Sequence, residues 1–190
     1  MTFWTDATLE PKRNYKFLLS IPGVNAGVGI PDYLVKNVSK PSFDIGTTQH
    51  DFLNHKFYYP GKTTWNPITM VIVDTTDPSL NATQSIMKLL ESSGYELPTN
   101  PISNASRQTV SKNKAFNQAL GEVRIKTLNS DGRVIEEWVL KNAFVTKAEF
   151  GNLDYTSEDL VNVSLTIQYD NAFIDVKDGD GPIPNTPGAS

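Results

Sequence analysis

The 190-residue chain has no cysteine and only two histidines. Without cysteine, disulfide bonds, thiolate metal sites and cysteine nucleophiles are all excluded. The two histidines, His50 and His55, have an odd spacing, and in a single strand such a spacing places two side chains on opposite faces. We therefore expect that the histidines do not share a metal ion and that the protein uses no cofactor.

Long apolar runs and a strong net charge are missing as well. No segment approaches the roughly 20 apolar residues of a membrane-spanning helix, and the N-terminal sequence has no apolar core of signal-peptide length. The sequence thus favours a protein made in the cytosol, with no membrane partner. The formal net charge of −4 argues against a basic patch that grips nucleic acid phosphates.

The sequence also lacks the short motifs of the common catalytic sites. There is no G-x-S-x-G elbow and no phosphate-binding loop of the Walker type. Asp175, Asp178 and Asp180 match part of a calcium-binding loop, but no acidic residue follows Asp180 to supply the required bidentate ligand. These absences predict that the chain is not an enzyme.

Carboxylates and aromatic residues are numerous, and each class leaves one alternative open. Paired carboxylates can hydrolyse glycosidic bonds, and many of the acidic residues lie in the C-terminal third. Trp4, Trp65 and Trp138, together with the tyrosines and phenylalanines, could form a platform that stacks on sugar rings. A hydrolase on a β scaffold and a carbohydrate-binding β-domain therefore stand beside a structural protein.

Alternation of apolar and polar residues is the main pattern that the chain does contain. It is clearest in Leu160–Tyr169, where every second residue is apolar, as in a half-buried strand. Asn129–Gly132 separates two further alternating segments and carries the Asp-Gly pair of a tight hairpin. The remaining segments of this kind are Tyr15–Ile21, Glu122–Leu128, Arg133–Leu140 and Ala143–Phe150.

The stretch from Val35 to Asp74 is long, aromatic and rich in β-formers. We interpret Val35–Ser39 and Phe43–Ile45 as one strand bent at Pro41, because proline removes a ladder donor. His50–Tyr59 predicts a second strand, Pro60-Gly61 a turn, and Trp65–Asp74 the strand that closes the hairpin. Met70–Val73 is apolar on both faces, so this strand needs cover from a helix on one side and from a neighbouring subunit on the other.

One clear helix is expected, starting at Asp77-Pro78 and stopping at Gly94. A brief second helix is expected over Lys112–Leu120. The fold class that follows is mainly β with one flanking α-helix, as a small antiparallel β-barrel or sandwich of six to eight strands. The predicted organisation is an N-terminal arm over residues 1–13, one β domain over residues 14–173 and a flexible tail over residues 174–190.

The order of these elements resembles the tail tube proteins of contractile-tailed bacteriophages. The matching pieces run through most of residues 12–173, and no single piece is diagnostic of the family. They are Tyr15–Ile21, Val35–Phe43, Phe57–Gly61, Trp65–Ile68, Asn152–Tyr155 and the alternating strand that ends at Tyr169-Asp170.

The resemblance implies a small β-barrel with a flanking helix, six copies of which form a ring. Rings stack into the inner tube of the tail, and the genome passes through the lumen without specific binding. Implied partners are further copies of the chain, the tail sheath, the baseplate, the tail terminator and the tape measure protein. The implied location is the virion tail, assembled in the host cytoplasm. Baseplate tube initiators and secretion tubes share the fold, so the exact component stays open.

Two sets of candidate residues follow from combining the sequence with this resemblance. Exposed aromatic and doubly apolar positions suit contacts between subunits, and acidic residues of the C-terminal third suit a lumen that repels DNA phosphates. The contact candidates are Phe3, Trp4, Phe52, Met70, Val71, Ile72 and Val73. The lumen candidates are Glu136, Glu137, Glu149, Glu158 and Asp159.

Overall fold

The described part of the chain contains ten strands, one regular helix and shorter helical turns, among them Asp32–Leu34. The computed structural model describes residues 10–23, 30–78, 80–95, 109–156 and 158–177. Phe3 and Trp4 of the predicted arm lie outside these residues, as does most of the predicted C-terminal tail. The expected mainly β fold with a flanking helix is confirmed.

The strands fall into two four-stranded antiparallel sheets and one separate two-stranded sheet. The first sheet has the order β1-β6-β7-β10, the second has the order β2-β5-β9-β8, and β3 pairs only with β4. Neither four-stranded sheet closes on itself, so the fold is a sandwich and not a closed barrel. The strands are β1 Phe17–Ser20, β2 Val35–Val38, β3 Ser42–Phe52, β4 His55–Asn66, β5 Ile68–Val73, β6 Val123–Leu128, β7 Val134–Lys141, β8 Phe144–Glu149, β9 Asn162–Gln168 and β10 Asn171–Val176.

The core lies between the two four-stranded sheets. Alternation on β9 puts Val163, Leu165 and Ile167 in this core with no exposed area, as the sequence predicts. The first sheet supplies the opposite wall, including Leu19 and Leu140. Each fully buried aliphatic side chain contributes about 1.5–3 kcal/mol of hydrophobic stabilisation, so these layers account for the sandwich.

Helix α1, Ala82–Ser92, packs its apolar stripe against the same core. The predicted start at Asp77-Pro78 is wrong, because Asn81 is the N-cap and its side chain accepts a hydrogen bond from the backbone N–H of Gln84 at 2.7 Å. Gly94, with a φ of +104°, ends the helix region as expected. The second helical segment is also confirmed, as a short turn, α2 Lys112–Lys114, that continues into a π-helical turn over Ala115–Leu120. Among the described helices, none combines the length and apolar content needed to cross a membrane.

The Asp-Gly turn between β6 and β7 forms as predicted. Asn129 accepts backbone hydrogen bonds from Asp131 and Arg133 through its side chain, and Gly132 takes a φ of +80°. The chain reversal thus follows from local sequence chemistry, and it places Glu136 and Glu137 on the central strand β7.

Candidate functional site

A hairpin of 25 residues, Ser42–Asn66, projects from the sandwich. Its strands pair from Ser42 opposite Asn66 to Phe52 opposite His55. The hairpin therefore measures on the order of 35 Å along its 11-residue strand β3. Every residue of β3 is exposed, and so is β4 until Trp65. We call Ser42–Asn66 the projecting hairpin.

The predictions of a bent strand and of a Pro-Gly turn in this region are wrong. Val35–Ser39 and Phe43–Ile45 do not form one bent strand, because the chain leaves the second sheet near Pro41 and begins the projecting hairpin. Pro60-Gly61 is not the turn, since Pro60 lies inside β4 opposite Thr47. A proline is tolerated there because this strand has only one neighbour.

The pairing of the projecting hairpin is interrupted by a bulge beside two glycines. The register shifts between Ile45 and Thr47. A Cβ added at Gly61 would lie 3.0 Å from the backbone oxygen of Gly46, whereas one added at Gly46 would come no closer than 3.5 Å to any atom. Gly61 therefore permits a close backbone approach that a larger residue would disturb.

Beyond the bulge the projecting hairpin has two unlike faces. His50 pairs with Phe57, and Phe52 pairs with His55, so these four rings lie on one face together with Tyr59. The expectation that the histidines lie on opposite faces of one strand is wrong, because the turn places them on two neighbouring strands. In the described part of the chain, no group of three residues that could bind a metal is present.

The apex of the projecting hairpin is an unusual residue for a turn. Leu53 takes a φ of +52° and is 90% exposed. The left-handed region costs a residue with a Cβ about 1–2 kcal/mol, and exposure of leucine gains nothing in the free protomer. A strained backbone that presents an apolar side chain to solvent indicates a contact that the protomer alone does not complete.

The base of the projecting hairpin is anchored to the sandwich by aromatic packing. The ring of Trp65 lies 5.2 Å from Phe43 in an edge-to-face arrangement and 6.0 Å from the buried Tyr169 of the sandwich. Trp138 is also partly buried and donates a hydrogen bond to Glu136. Two of the three tryptophans suggested for a sugar platform are therefore engaged in internal contacts.

Glu136 and Glu137 are buried inside the protomer. Glu136 accepts hydrogen bonds from Lys12, from Lys40 at 2.6 Å and from Trp138. Burial raises the pKa of Glu136, but these three donors outweigh it and lower the pKa to about 2. An ionised carboxylate held by two ammonium groups cannot serve as a general acid near neutral pH.

Glu137 has a separate set of cationic partners. Burial raises its pKa, whereas hydrogen bonds from Lys177 and Arg124 lower it, with a net decrease. Of the lumen candidates, Glu149 lies exposed on β8 and pairs with Lys147 at 2.7 Å. Glu158 and Asp159 are exposed in the connection between β8 and β9.

The apolar run on β5 is divided between two environments. Met70 and Ile72 have no exposed area and pack in the core of the protomer. Val71 and Val73 lie on the other face and are half-buried. Only these two residues of the run are available to a neighbour, and Phe52 is available on the projecting hairpin.

Sequence reasoning missed Lys40, Leu53 and the anchoring role of Glu136. Lys40 and Glu136 are 96 positions apart, and no local pattern links them. The Leu53-Asn54 turn has no glycine, so the usual turn signal is absent.

The comparisons with known proteins identify the fold. No family model matches the sequence, and no curated protein matches it. A chain of the anti-feeding prophage baseplate superposes with a TM-score of 0.61 at 17% identity, covering 88% of this chain and 97% of that chain. The anti-feeding prophage cap, a tube-terminating cap, superposes with a TM-score of 0.61 at 21% identity, covering 93% of this chain and 100% of that chain.

A third similar structure comes from the sheath–tube complex of an extracellular contractile injection system, PVC, in its extended state. The TM-score is 0.59 at 20% identity, and the match covers 93% of this chain and 99% of that chain. At these identities the likeness shows the fold. The resemblance to contractile tail tube proteins is thereby confirmed at the level of the fold.

Proposed function

We propose that this chain, which shares its fold with components of contractile injection machines, is a subunit of the inner tube of a contractile tail. The observation that carries the proposal is the projecting hairpin, whose exposed apolar surface has no partner among the described residues of the protomer. Six copies form a ring, and rings stack into a tube whose lumen conducts the genome.

The projecting hairpin makes the contact between rings. A lone two-stranded hairpin is marginally stable in water, so packing of its aromatic face on an adjacent ring stabilises both. The side chains that make this contact are Phe52, Leu53 and Phe57, all exposed in the protomer. Such a contact joins unlike surfaces of two copies, and repeated head-to-tail contacts of this kind generate open filaments.

Contacts within a ring use the four-stranded sheets. β1 and β10 form the edges of the first sheet, and β2 and β8 form the edges of the second. Unpaired edges accept strands from another chain, and cyclic symmetry closes such pairing without leaving an edge open. Val71 and Val73 contribute the half-buried apolar face of β5 to the neighbouring subunit.

The lumen is acidic in this proposal, with Glu149, Glu158 and Asp159 as its lining candidates. Carboxylates there would repel the phosphates of passing DNA and prevent tight binding. Glu136 and Glu137 do not contact the lumen directly in this proposal, because lysine and arginine side chains enclose their carboxylates. They remain lumen candidates only because their negative charge adds to the field there. The tube assembles in the host cytoplasm and works with sheath, baseplate, terminator and tape measure proteins. A cryo-EM map of the tube with a neutral or basic lumen would contradict the assignment.

A second role on the same fold is favoured by one comparison. The likeness to the tube-terminating cap supports a component that ends or initiates a tube. The two roles differ in how many rings the purified protein stacks. A terminator forms single rings, whereas a tube subunit forms long stacks of rings. A carbohydrate-binding domain stays the alternative of another class, and a monomer that binds a glycan array would support it.

Removal of the distal hairpin tests the proposal. Joining Gly46 directly to Gly61 by deleting residues 47–60 keeps the anchored base and removes the aromatic face and the apex. We expect the wild-type chain to form tubes and the deletion variant to stop at single rings, as seen by negative-stain microscopy. Tubes of normal length from the deletion variant would show that the projecting hairpin is not the stacking contact.

A further inference from the structure

Glu136 holds two segments that leave the sandwich in different places. Lys12 belongs to the described end of the N-terminal arm, and Lys40 lies two residues before Ser42, where the projecting hairpin begins. Both ammonium groups bind the carboxylate of Glu136, whose side chain is only 6% exposed. The two segments are therefore connected through one buried group.

The position of Glu136 explains why it reaches these partners. In β7 it shares the core-facing side with Trp138 and Leu140, which pair with the core residues Ile125 and Val123. Trp138 donates its indole N–H to Glu136 at 2.8 Å and fixes the direction of the carboxylate. Strand pairing and the hydrogen bond from Trp138 thus orient the Glu136 side chain in addition to the two lysines.

We infer that Glu136 is a positioning residue that sets the direction of the projecting hairpin and couples it to the N-terminal arm. This inference rests on the proposed function for its biological meaning, since hairpin direction matters only if the hairpin contacts another ring. The contacts of Glu136 with Lys12 and Lys40 lie within one protomer and do not depend on assembly.

The length of the projecting hairpin makes its base important. The projecting hairpin is on the order of 35 Å long, so a rotation of about 10° at its base moves its apex by roughly 6 Å. This displacement is larger than the spacing of two adjacent strands. Trp65 packs one strand of the base on Tyr169, and Lys40 ties the segment that enters the other strand. A hinge secured on both strands keeps the apex in one place.

Glu137 supplies a matched control, because it is the next residue and is equally buried. It lies on the opposite face of β7 and binds Lys177 at 3.1 Å and Arg124 at 3.3 Å. These contacts tie the end of β10 to β7 and involve neither the arm nor the projecting hairpin. Loss of Glu137 contacts should weaken the sandwich without redirecting the hairpin.

Distance measurements between two spin labels on one chain test the inference, with the labelled chain diluted in unlabelled chain so that each distance lies within one protomer. The chain has no cysteine, so Thr48→Cys on the projecting hairpin and Ser130→Cys on the β6–β7 turn would carry the only labels. We expect a narrow distance distribution in the parent and in Lys177→Met. In Lys40→Met and Glu136→Gln the distribution should become at least twice as wide or shift by several ångströms.

The coupling to the arm has its own variant. The ion pair of Lys12 is with Glu136, so a broadened distribution in Lys12→Met would show that the N-terminal arm acts on the projecting hairpin through Glu136. An unchanged distribution in Lys12→Met would overturn the coupling. Unchanged distributions in both Lys40→Met and Glu136→Gln, with circular dichroism showing folded protein, would overturn the positioning role.

Tube formation by the same variants separates this inference from the proposed function. We expect Lys40→Met to reduce tube length at least fivefold, and Lys177→Met to leave it unchanged. Normal tubes from Lys40→Met would contradict the inference while leaving the tube proposal intact. Absence of tubes from the wild-type chain would contradict the tube proposal, and the label distances would still decide the role of Glu136.

Discussion

At the scale of single residues, the adjacent glutamates on β7 show how neighbours in sequence acquire separate roles. Glu136 faces the core side and binds the arm and the hairpin base, whereas Glu137 faces the other way and binds Lys177. Both are anionic and buried, so both depend on their cations. Burial of either charge without its partners would cost several kcal/mol.

The lowered pKa of Glu136 predicts a loss of stability in acid. Its pKa falls from an ordinary value of 4.5 to about 2 in the folded protein, so its ionised form stabilises the fold fully above pH 4.5. That contribution, about 3 kcal/mol at most, is lost as the pH decreases from 4.5 toward 2. Urea unfolding at pH 7, 4 and 3 should show Glu136→Gln as less stable than wild type at pH 7, with a gap that shrinks on acidification. A gap independent of pH would contradict the ion-pair assignment.

Residue identity alone could not reveal these roles. Glu136 and Glu137 are indistinguishable from exposed acids in the sequence, and the cations that enclose them come from distant segments. The same limit applies to Lys40. Met70 and Ile72, in contrast, follow directly from the alternation of β5, which also indicates that Val71 and Val73 face the other way.

At the scale of elements, local sequence chemistry predicts the β6–β7 turn and strand β9 but does not predict the projecting hairpin. The β6–β7 turn follows from Asp-Gly, and the alternation of β9 follows from its apolar period. The projecting hairpin has a Pro-Gly pair that forms no turn and a turn at Leu53 that lacks glycine. Its strands face solvent on both sides, so no burial pattern marks their register.

The bulge of the projecting hairpin predicts an asymmetric response to alanine. Gly61→Ala would place its Cβ against the backbone of Gly46 at 3.0 Å, and the backbone must shift to relieve the contact. Gly46→Ala would meet only ordinary van der Waals distances. We expect hydrogen exchange of the hairpin amides to increase severalfold in Gly61→Ala and to stay near wild type in Gly46→Ala. Equal exchange in the two variants would show that the close approach is not a constraint.

Strand β5 predicts a second pair of unlike outcomes. Ile72→Asp would bury an unpaired charge in the core and should destabilise the fold by more than about 4 kcal/mol. Val71→Asp changes the half-buried outer face. The free energy of unfolding of the protomer should therefore stay within about 1 kcal/mol of the wild-type value, while ring assembly fails. Thermal unfolding and analytical ultracentrifugation would distinguish the two effects. Normal rings from folded Val71→Asp would remove this face from the interface.

At the scale of the whole molecule, the protomer combines a closed core with surfaces that remain unsatisfied. The sandwich buries its apolar residues between two sheets and α1. Among the described residues, each four-stranded sheet has two edge strands with only one strand neighbour, and the projecting hairpin exposes aromatic residues. In the proposed assembly, edge strands pair around a ring and the projecting hairpins pack between rings. Both the edge strands and the exposed aromatic residues then have contacts.

Electron microscopy of the purified wild-type chain at increasing concentration tests whether the protein assembles into a tube. We expect six-fold rings with an open channel, and stacks of these rings that lengthen as the protein concentration increases. In averaged images of the stacks, each projecting hairpin should lie against the adjacent ring. Protein that stays monomeric at the highest concentration, with neither rings nor tubes, would contradict a role as a tube subunit.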